Sequence, residues 1–452
     1  MYTRIIGIDL GVTAQHQAVV LDPATGQFIG RSWRFSSTPA ALQRLIQRAR
    51  QGLTGEVRLI AILEATGMAW YPVGGYLHDQ GVTVYRVNGR QTKDLRQVYH
   101  RHASSDRIDC RVLTHLYQVA AERLTPWQPP SGQQLALQRA CREFDRWRQL
   151  DVAIQNRLTS YDQWAWRSLT PLIPAEAQDW MRRYWYDPWQ VAATALTTLT
   201  AAWQAAAPKQ PADLAWIPAW IKRAQELTRL YGSPERVGYA DLQLTLQRNL
   251  TLQQQSRLAQ EELKQQLILP LYRQLYPDCY LETIYGIGAL SAAIYLAFIQ
   301  DIARFRTCAQ LRSWCGLIPG SQQSGQAEAK GLRITQTGPN LIKATLYQNA
   351  EVARQWDVQF AALYYRQMVD YGKHHTQAVC ACASHLSSRI YTILKEQRPY
   401  ELRDLQGQPI SVQQSRQLCL TQFHVPEKVR RRKRVRDRRA RANQRSERRF
   451  RQ

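Results

Sequence analysis

The chain is short of acids. Sixty Lys and Arg stand against 35 Asp and Glu, which leaves a formal charge of +25 over 452 residues. An enzyme of small neutral substrates has no use for that excess, so a polyanionic partner is the leading inference. The bland alternative is a merely soluble cation. Residues 427–452 supply +11 and the remainder keeps +14, so the basic character is not confined to a tail. Long apolar runs are missing too. The longest stretch, Ala289 to Ile299, is far below the roughly 18 residues a membrane span needs. The first residues run straight into a strand pattern, so no secretory signal is expected. The eight Cys include no CxxC pair. Cys380 and Cys382, near His374, His375 and His385, fit no zinc spacing and read as core cysteines of a helix. A reducing cytoplasm is the expected home.

With 44% hydrophobic residues the chain can bury cores, and its length predicts two or three domains. Ile5, Ile6, Ile8 and Leu10 predict a first strand covered on both faces and ending at Asp9, with Gly7 and Gly11 leaving room for close approach. His16 to Leu21 and Gln27 to Phe35 read as two more strands, joined by a turn at Ala24-Thr25-Gly26. A helix is expected over Pro39 to Leu53. Strands follow over Val57 to Leu63 and Thr83 to Val87, with a helix at Tyr71 to Asp79 between them. Ser104-Ser105 caps a further helix from Asp106 to about Leu124. This alternation suits an α/β mixed sheet with helices on its faces.

Asp9 and Glu64 end apolar strands, while Asp106 and Asp109, three apart, share one helical face. If the first and fourth strands are parallel neighbours, Asp9 and Glu64 emerge together at the sheet edge where α/β folds hold ligands. Four hard oxygen donors there suit Mg²⁺ or Mn²⁺. Taken singly each acid is ordinary, since strand-end Asp is common and acids favour a helix's first turn. Gly7-Ile-Asp-Leu-Gly11 also resembles the opening of actin-like ATPases and sugar kinases, and Asp79-Gln-Gly-Val-Thr83 imitates their second phosphate loop. That segment follows a helix directly and comes too early, and the charge has no role in such a kinase.

Beyond a Pro-rich break at Trp127 to Gly132, Leu135 to about Ser168 reads as a long helix, as does Tyr239 to Leu269. The second pairs either with the first or with another copy of itself. Eight of the fourteen Trp fall between Trp164 and Trp220. They predict a helical insertion with its own core; a base-stacking platform beside Arg182, Arg183, Lys222 and Arg223 is the competing reading. Ile284-Tyr-Gly286-Ile-Gly288 reads either as a helix-hairpin-helix turn offering backbone N–H groups to phosphate or as a plain Gly-rich turn. From Phe305 to Tyr400 the pattern is helical around a polar loop, Gly316 to Asn340. There Ser324-Gly325 offers a hydroxyl near Lys330 and Arg333, which suit binding of a phosphate. Ser-Gly is also ordinary turn chemistry. The basic tail, with Arg430, Arg431, Arg432, Lys433 and Arg434, cannot bury a core and reads as disordered or folded on nucleic acid.

In combination and order these motifs resemble the insertion-sequence one-ten family of DEDD transposases, which includes the Piv-type DNA invertases. One block carries Ile6-Gly-Ile-Asp9, Glu64-Ala-Thr-Gly67, Asn88 and Asp106-x-x-Asp109. The other carries Tyr285-Gly-Ile-Gly288, Cys315-Gly-Leu-x-Pro319, Ser324-Gly325, Arg333-Ile334, Gly338 and Leu346-Tyr347. The resemblance implies an α/β RNase H-like (RuvC-like) domain over 1–130. Long helices over 131–280 would carry the Trp-rich insertion at about 169–234. A mainly α-helical serine transposase domain would follow over 281–400, with the basic tail over 401–452. It implies that Asp9, Glu64, Asp106 and Asp109 hold Mg²⁺ and that Ser324 becomes joined to a DNA phosphate. Implied partners are target and donor DNA, an element-encoded guide (bridge) RNA, and dimers pairing into tetramers. The setting would be the bacterial nucleoid. Gly89 stands where the family usually has Pro, Gln336 and Lys343 also depart from its pattern, and the spacing from Ser324 to Lys330-Gly331 looks one residue long. The competing functions are a Holliday-junction-type nuclease with water as nucleophile, an invertase without guide RNA, and a non-enzymatic nucleic-acid-binding protein.

Overall fold

The computed structural model describes residues 2–430, apart from 66, 88, 100–104, 168, 170–171, 208–213, 321–322, 325–326, 329–333 and 336. It divides into two units, Met1–Ser131 and Gly132–Gln452.

The first unit is a five-stranded mixed sheet in the order β3-β2-β1-β4-β5. Its strands are β1 (Tyr2–Asp9), β2 (His16–Leu21), β3 (Trp33–Phe35), β4 (Val57–Glu64) and β5 (Thr83–Val87). Strands β1, β4 and β5 run parallel, while β2 and β3 pair antiparallel. The expected strand over Gln27 to Phe35 survives only as β3. Phe28 makes a single bridge to Leu21, and Gly30, at φ +73°, turns the chain out of line. Helices α1 (Pro39–Arg50) and α2 (Trp70–Asp79) cover one face over Ile6, Ile8, Ala18, Val20, Ala61 and Leu63. Thr38 caps α1 through Ala41 N–H. The segment Asp79 to Thr83 is the plain turn out of α2, with Gly81 at φ +76°.

The opposite face carries α3 (Gly89–Tyr99) and α4 (Asp106–Ala120). Leu113 and Leu116 of α4 pack on Ile5, Ile60 and Ile62. Ser105 caps α4 by accepting from Ile108 N–H. Helix α3 was not expected from the sequence. It opens on glycine and is mostly polar, so its apolar period is thin.

The second unit opens with α5 (Gly132–Trp166). The insertion follows as α6 (Ala175–Tyr184), α7 (Pro188–Ala193), α8 (Leu196–Ala206) and α9 (Trp216–Tyr231). Helix α10 (Tyr239–Glu262) continues through a π-helical stretch, Leu263–Ile268, into α11 (Leu269–Leu275). It pairs antiparallel with α5 of the same chain: Arg157 reaches Asn249 at 3.2 Å, Gln253 reaches Gln155 at 3.1 Å, and Ser256 reaches the Trp147 carbonyl at 2.8 Å. The tryptophans of the insertion are core. Trp166 and Trp220 are fully buried, with Trp203, Met181, Tyr186 and Ile217 around them, and Trp166 Nε1 donates to the Tyr186 carbonyl at 2.8 Å. Arg182, offered above for stacking, is instead buried in an ion pair with Asp162 at 2.6 Å.

The remaining helices are α12 (Ala289–Ile299), α13 (Cys308–Cys315), α14 (Asn340–Ala353), α15 (Val358–Tyr365), α16 (His375–Glu396) and α17 (Val412–Thr421). Their core joins the start of α5 to α12, α14 and α16. Cys382 lies in it, its thiol pushed up to about 12 by burial. Among the described residues no helix is long and apolar enough to cross a membrane.

Candidate active site

Strand register decides where the first two acids go. Ile8 pairs with Leu63 across parallel β1 and β4, so the next residues, Asp9 and Glu64, end their strands side by side. Alternation then fixes the face. Ile8 and Leu63 point toward α1 and α2, which turns Asp9 and Glu64 toward α4. Asp106 and Asp109 occupy the first turn of α4.

The approach of α4 depends on Gly7. A Cβ on that residue would lie 1.9 Å from the Cys110 carbonyl oxygen, so helix backbone rests directly on strand backbone. The result is electrostatic as well as steric. Burial, then the charges of Asp106, Asp109 and Glu64, push the Asp9 carboxyl from 3.8 to about 6, against a backbone N–H of Leu10 that pulls it down. Asp9 is therefore within reach of the charge of each of the other three sequence-predicted acids. Cys110 beneath them keeps its proton, its thiol pushed up to about 12 by burial and then by Asp9.

Two neighbours were not foreseen. Arg96 of α3 donates to both oxygens of Asp109 at 3.1 Å. Gly89, at the start of α3, meets the Glu64 carboxylate so closely that a Cβ there would lie 2.2 Å from Oε1. The position where a family Pro was expected thus has no space for a side chain with Glu64 as placed. Arg96 was illegible because α3 itself was.

Among the described residues no three His, Cys, Asp or Glu side chains close round one point. The donor set nevertheless fits a hard divalent cation in its chemistry: carboxylate oxygens only, gathered against their own repulsion, with one already drawing a cation in Arg96.

The serine loop belongs to the second unit. Gln323–Ser324 and Ala327–Glu328 form a two-stranded hairpin in which Ser324 lies opposite Ala327. Its base is tightly closed. A Cβ on Gly316 would sit 2.0 Å from Thr337 O, and one on Gly338 would sit 1.9 Å from Trp314 O; both glycines have positive φ. Thr337 Oγ1 donates to the Ser313 carbonyl at 2.8 Å, and Thr335 N–H to Ile318 O at 2.9 Å. Lys330 and Arg333 lie outside the described residues, as do Asn88, Arg431, Arg432, Lys433 and Arg434. Arg430 is half-buried and 3.8 Å from Glu427.

Gly286 and Gly288 differ from each other. Gly286, at φ +95°, packs on α14, where a Cβ would lie 2.7 Å from Asn349 O, and its carbonyl accepts from Asn349 Nδ2. Gly288 is exposed just before α12. The turn is preceded by a 3₁₀ segment, Tyr280–Thr283, where a helix-hairpin-helix would have an α-helix.

Comparison with known proteins bears on this geometry. Residues 6–161 match the family model of DEDD transposases of the IS110 type, and residues 279–366 match that of the transposase IS116/IS110/IS902 family. The chain is 30% identical over 118 residues to an uncharacterised 43.6 kDa protein of insertion element IS110 from Streptomyces coelicolor, covering 26% of this chain and 29% of that one. It is 27% identical over 128 residues to a pilin gene-inverting protein of Moraxella lacunata, covering 28% and 40%. A putative transposase of Sinorhizobium fredii is 26% identical over 144 residues, covering 26% and 37%. The matched stretches span about three to four tenths of these relatives. With both blocks matched in order, the chain belongs to the IS110 family of transposases.

Proposed function

We propose that the protein is a DNA recombinase of an insertion sequence, cutting and rejoining DNA through a serine–phosphate intermediate. The observation that carries this is the placement of Asp9, Glu64, Asp106 and Asp109 on one face of the sheet, where burial and then the charges of the other three raise the Asp9 carboxyl. The sheet order supports an RNase H-like, RuvC-like reading of the first unit. Asp9, Glu64, Asp106 and Asp109 would hold a divalent cation, Mg²⁺ or Mn²⁺, whose chemistry is to neutralise a phosphodiester and stabilise the attacking and leaving oxygens. Arg96 holds Asp109 in place between substrates. The Ser324 hydroxyl forms the bond to phosphorus as the bond to the deoxyribose oxygen breaks, and the deoxyribose oxygen leaves with a proton. The closed base at Gly316 and Gly338 presents that serine on a short hairpin. The charge of +25 supports a guide RNA beside target and donor DNA, with Lys330, Arg333 and the tail from Arg430 as phosphate contacts. Assembly as dimers pairing into tetramers belongs to the same reading.

The test is recombination on supercoiled DNA. Ser324→Ala and Asp9→Ala each abolish it while nucleic-acid binding stays intact, and a covalent protein–DNA adduct on denaturing gels disappears in Ser324→Ala. A second reading, a metal-dependent nuclease with water as nucleophile, is favoured by one fact: the acids assemble within the first unit alone. It predicts strand cutting that survives Ser324→Ala with no adduct at any stage.

A further inference from the structure

Beside the carboxylates the first unit has a cleft of about 470 Å³, lined among others by Gln17, Arg31, Arg34, Ser105, Asp106 and Arg107. We propose that this cleft seats the sugar–phosphate backbone of one DNA strand and leads it to the acid cluster. The inference rests on the recombinase reading for its choice of DNA, and on the cleft's own charge for the rest. The guanidinium-bearing residues Arg31, Arg34 and Arg107 are exposed, and among the described residues none has a carboxylate partner. They face a single acid, Asp106, itself one of the cluster.

Register ties the cleft to the site. Asp9 lies directly opposite Gln17 on β2, and Gln17 lies directly opposite Arg34 on β3. Directly opposed residues share a face, so Glu64, Asp9, Gln17 and Arg34 form one row across the sheet on the side of α4. Two strand spacings separate Asp9 from Arg34, about 10 Å. That is too far for one phosphate to touch both, and it suits a backbone with successive phosphates. Arg107 follows Asp106 in the first turn of α4 and lines the same cleft. Gln17 and Ser105 add neutral groups able to hydrogen-bond phosphate or sugar oxygens. The arginine contacts therefore position a strand through its phosphates, which carry no sequence information.

The experiment uses the full chain and a labelled single-stranded DNA of about 20 nucleotides, with RNA of the same sequence in parallel, titrated in EDTA across KCl. The triple variant Arg31→Gln, Arg34→Gln, Arg107→Gln is expected to lower the slope of log K against log salt by about 2 for DNA, at roughly 0.7 per lost phosphate contact. The matching Arg→Lys triple restores most of it, which also excludes misfolding. Arg44→Gln with Arg50→Gln, on α1 across the sheet, leaves the slope unchanged. In strand cutting the Gln triple raises KM and keeps kcat. An unchanged slope, a loss seen with RNA alone, or an equal loss in the α1 control overturns the proposal. Strand cutting that persists in Asp9→Ala sinks the acid-site reading instead, and the EDTA titration is unaffected by that outcome.

Discussion

Gly7→Ala tests the geometry of the acid site without touching an acid. The added Cβ would lie 1.9 Å from Cys110 O and 2.8 Å from Thr114 Cγ2, where ordinary contact begins near 3.4 Å. The first obstacle is helix backbone, which cannot rotate away, so β1 and α4 must part by about 1.5 Å. Overpacking of this kind costs about 1–3 kcal/mol. It also lifts Asp106 and Asp109 from Asp9, and a misplacement near 1 Å costs on the order of 100-fold in rate. Metal-dependent cutting of supercoiled DNA, read beside a thermal melt, separates the two effects. Gly75→Ala is the control: nothing lies within 4 Å of its Cβ position in α2, so stability holds or rises by about 0.5–1 kcal/mol and activity stays. A folded Gly7→Ala protein that cuts at the parent rate would refute the claim that this contact sets the carboxylates.

Asp9→Asn should stabilise the metal-free protein. An acid whose folded pKa is raised is destabilising once ionised, so the difference from the parent is nil below about pH 4, grows up to about pH 6 and is full above it. A rise from 3.8 to about 6 corresponds to about 3 kcal/mol, which we halve to about 1–2 for solvent screening at a half-buried group. Melts in EDTA across that pH range check it, and an unstabilised variant at pH 7.5 counts against an Asp9 carboxyl raised by burial and by its acidic neighbours. Gly316→Ala and Gly338→Ala force left-handed backbone at about 1–2 kcal/mol each and drive a methyl into a carbonyl. Adduct formation should fall at least tenfold with DNA binding kept; normal adduct yield would mean that the closed base does not position Ser324. Trp166→Ala should cost about 3–5 kcal/mol and leave oligonucleotide affinity unchanged, and an affinity loss in the folded protein would revive base stacking.

What the sequence made legible were features with a strong period or a cap. Strand β5 was bounded correctly and the start of α4 was set by Ser105, while two apolar runs ending in acids pose the parallel pairing that joins Asp9 to Glu64 as a condition, which the sheet meets. The Trp-rich insertion was readable as core because so many large rings cannot all stay wet. What failed was local and contextual. Gly30 breaks a strand whose composition is otherwise good. Helix α3 hides behind a polar stretch, and with it Arg96 and the Glu64 contact at Gly89. The cleft residues Arg31 and Arg34 carry no motif. Only the register of β2 against β3 places Arg34 in line with Asp9, and register is set by tertiary pairing.

The treatment of buried acids elsewhere in the chain separates structure from chemistry. Asp162, near the end of α5, has Arg182 at 2.6 Å, and the half-buried Asp22 has Arg4. Asp357 is held by the Tyr400 hydroxyl at 2.6 Å and by the backbone N–H of Gln359 at 2.9 Å. Each has a partner that lowers its carboxyl, although burial still leaves Asp162 and Asp357 raised. Asp9 is surrounded in the opposite sense, with three further carboxylates as its charged neighbours and only a backbone N–H in its favour. A packing role would be served better by an amide of the same shape, which carries no charge to bury or repel. The fold instead places α4 on Gly7 and brings two more acids to the spot. Such a cluster lowers stability by itself, and that cost is what the cation-binding role proposed above would offset.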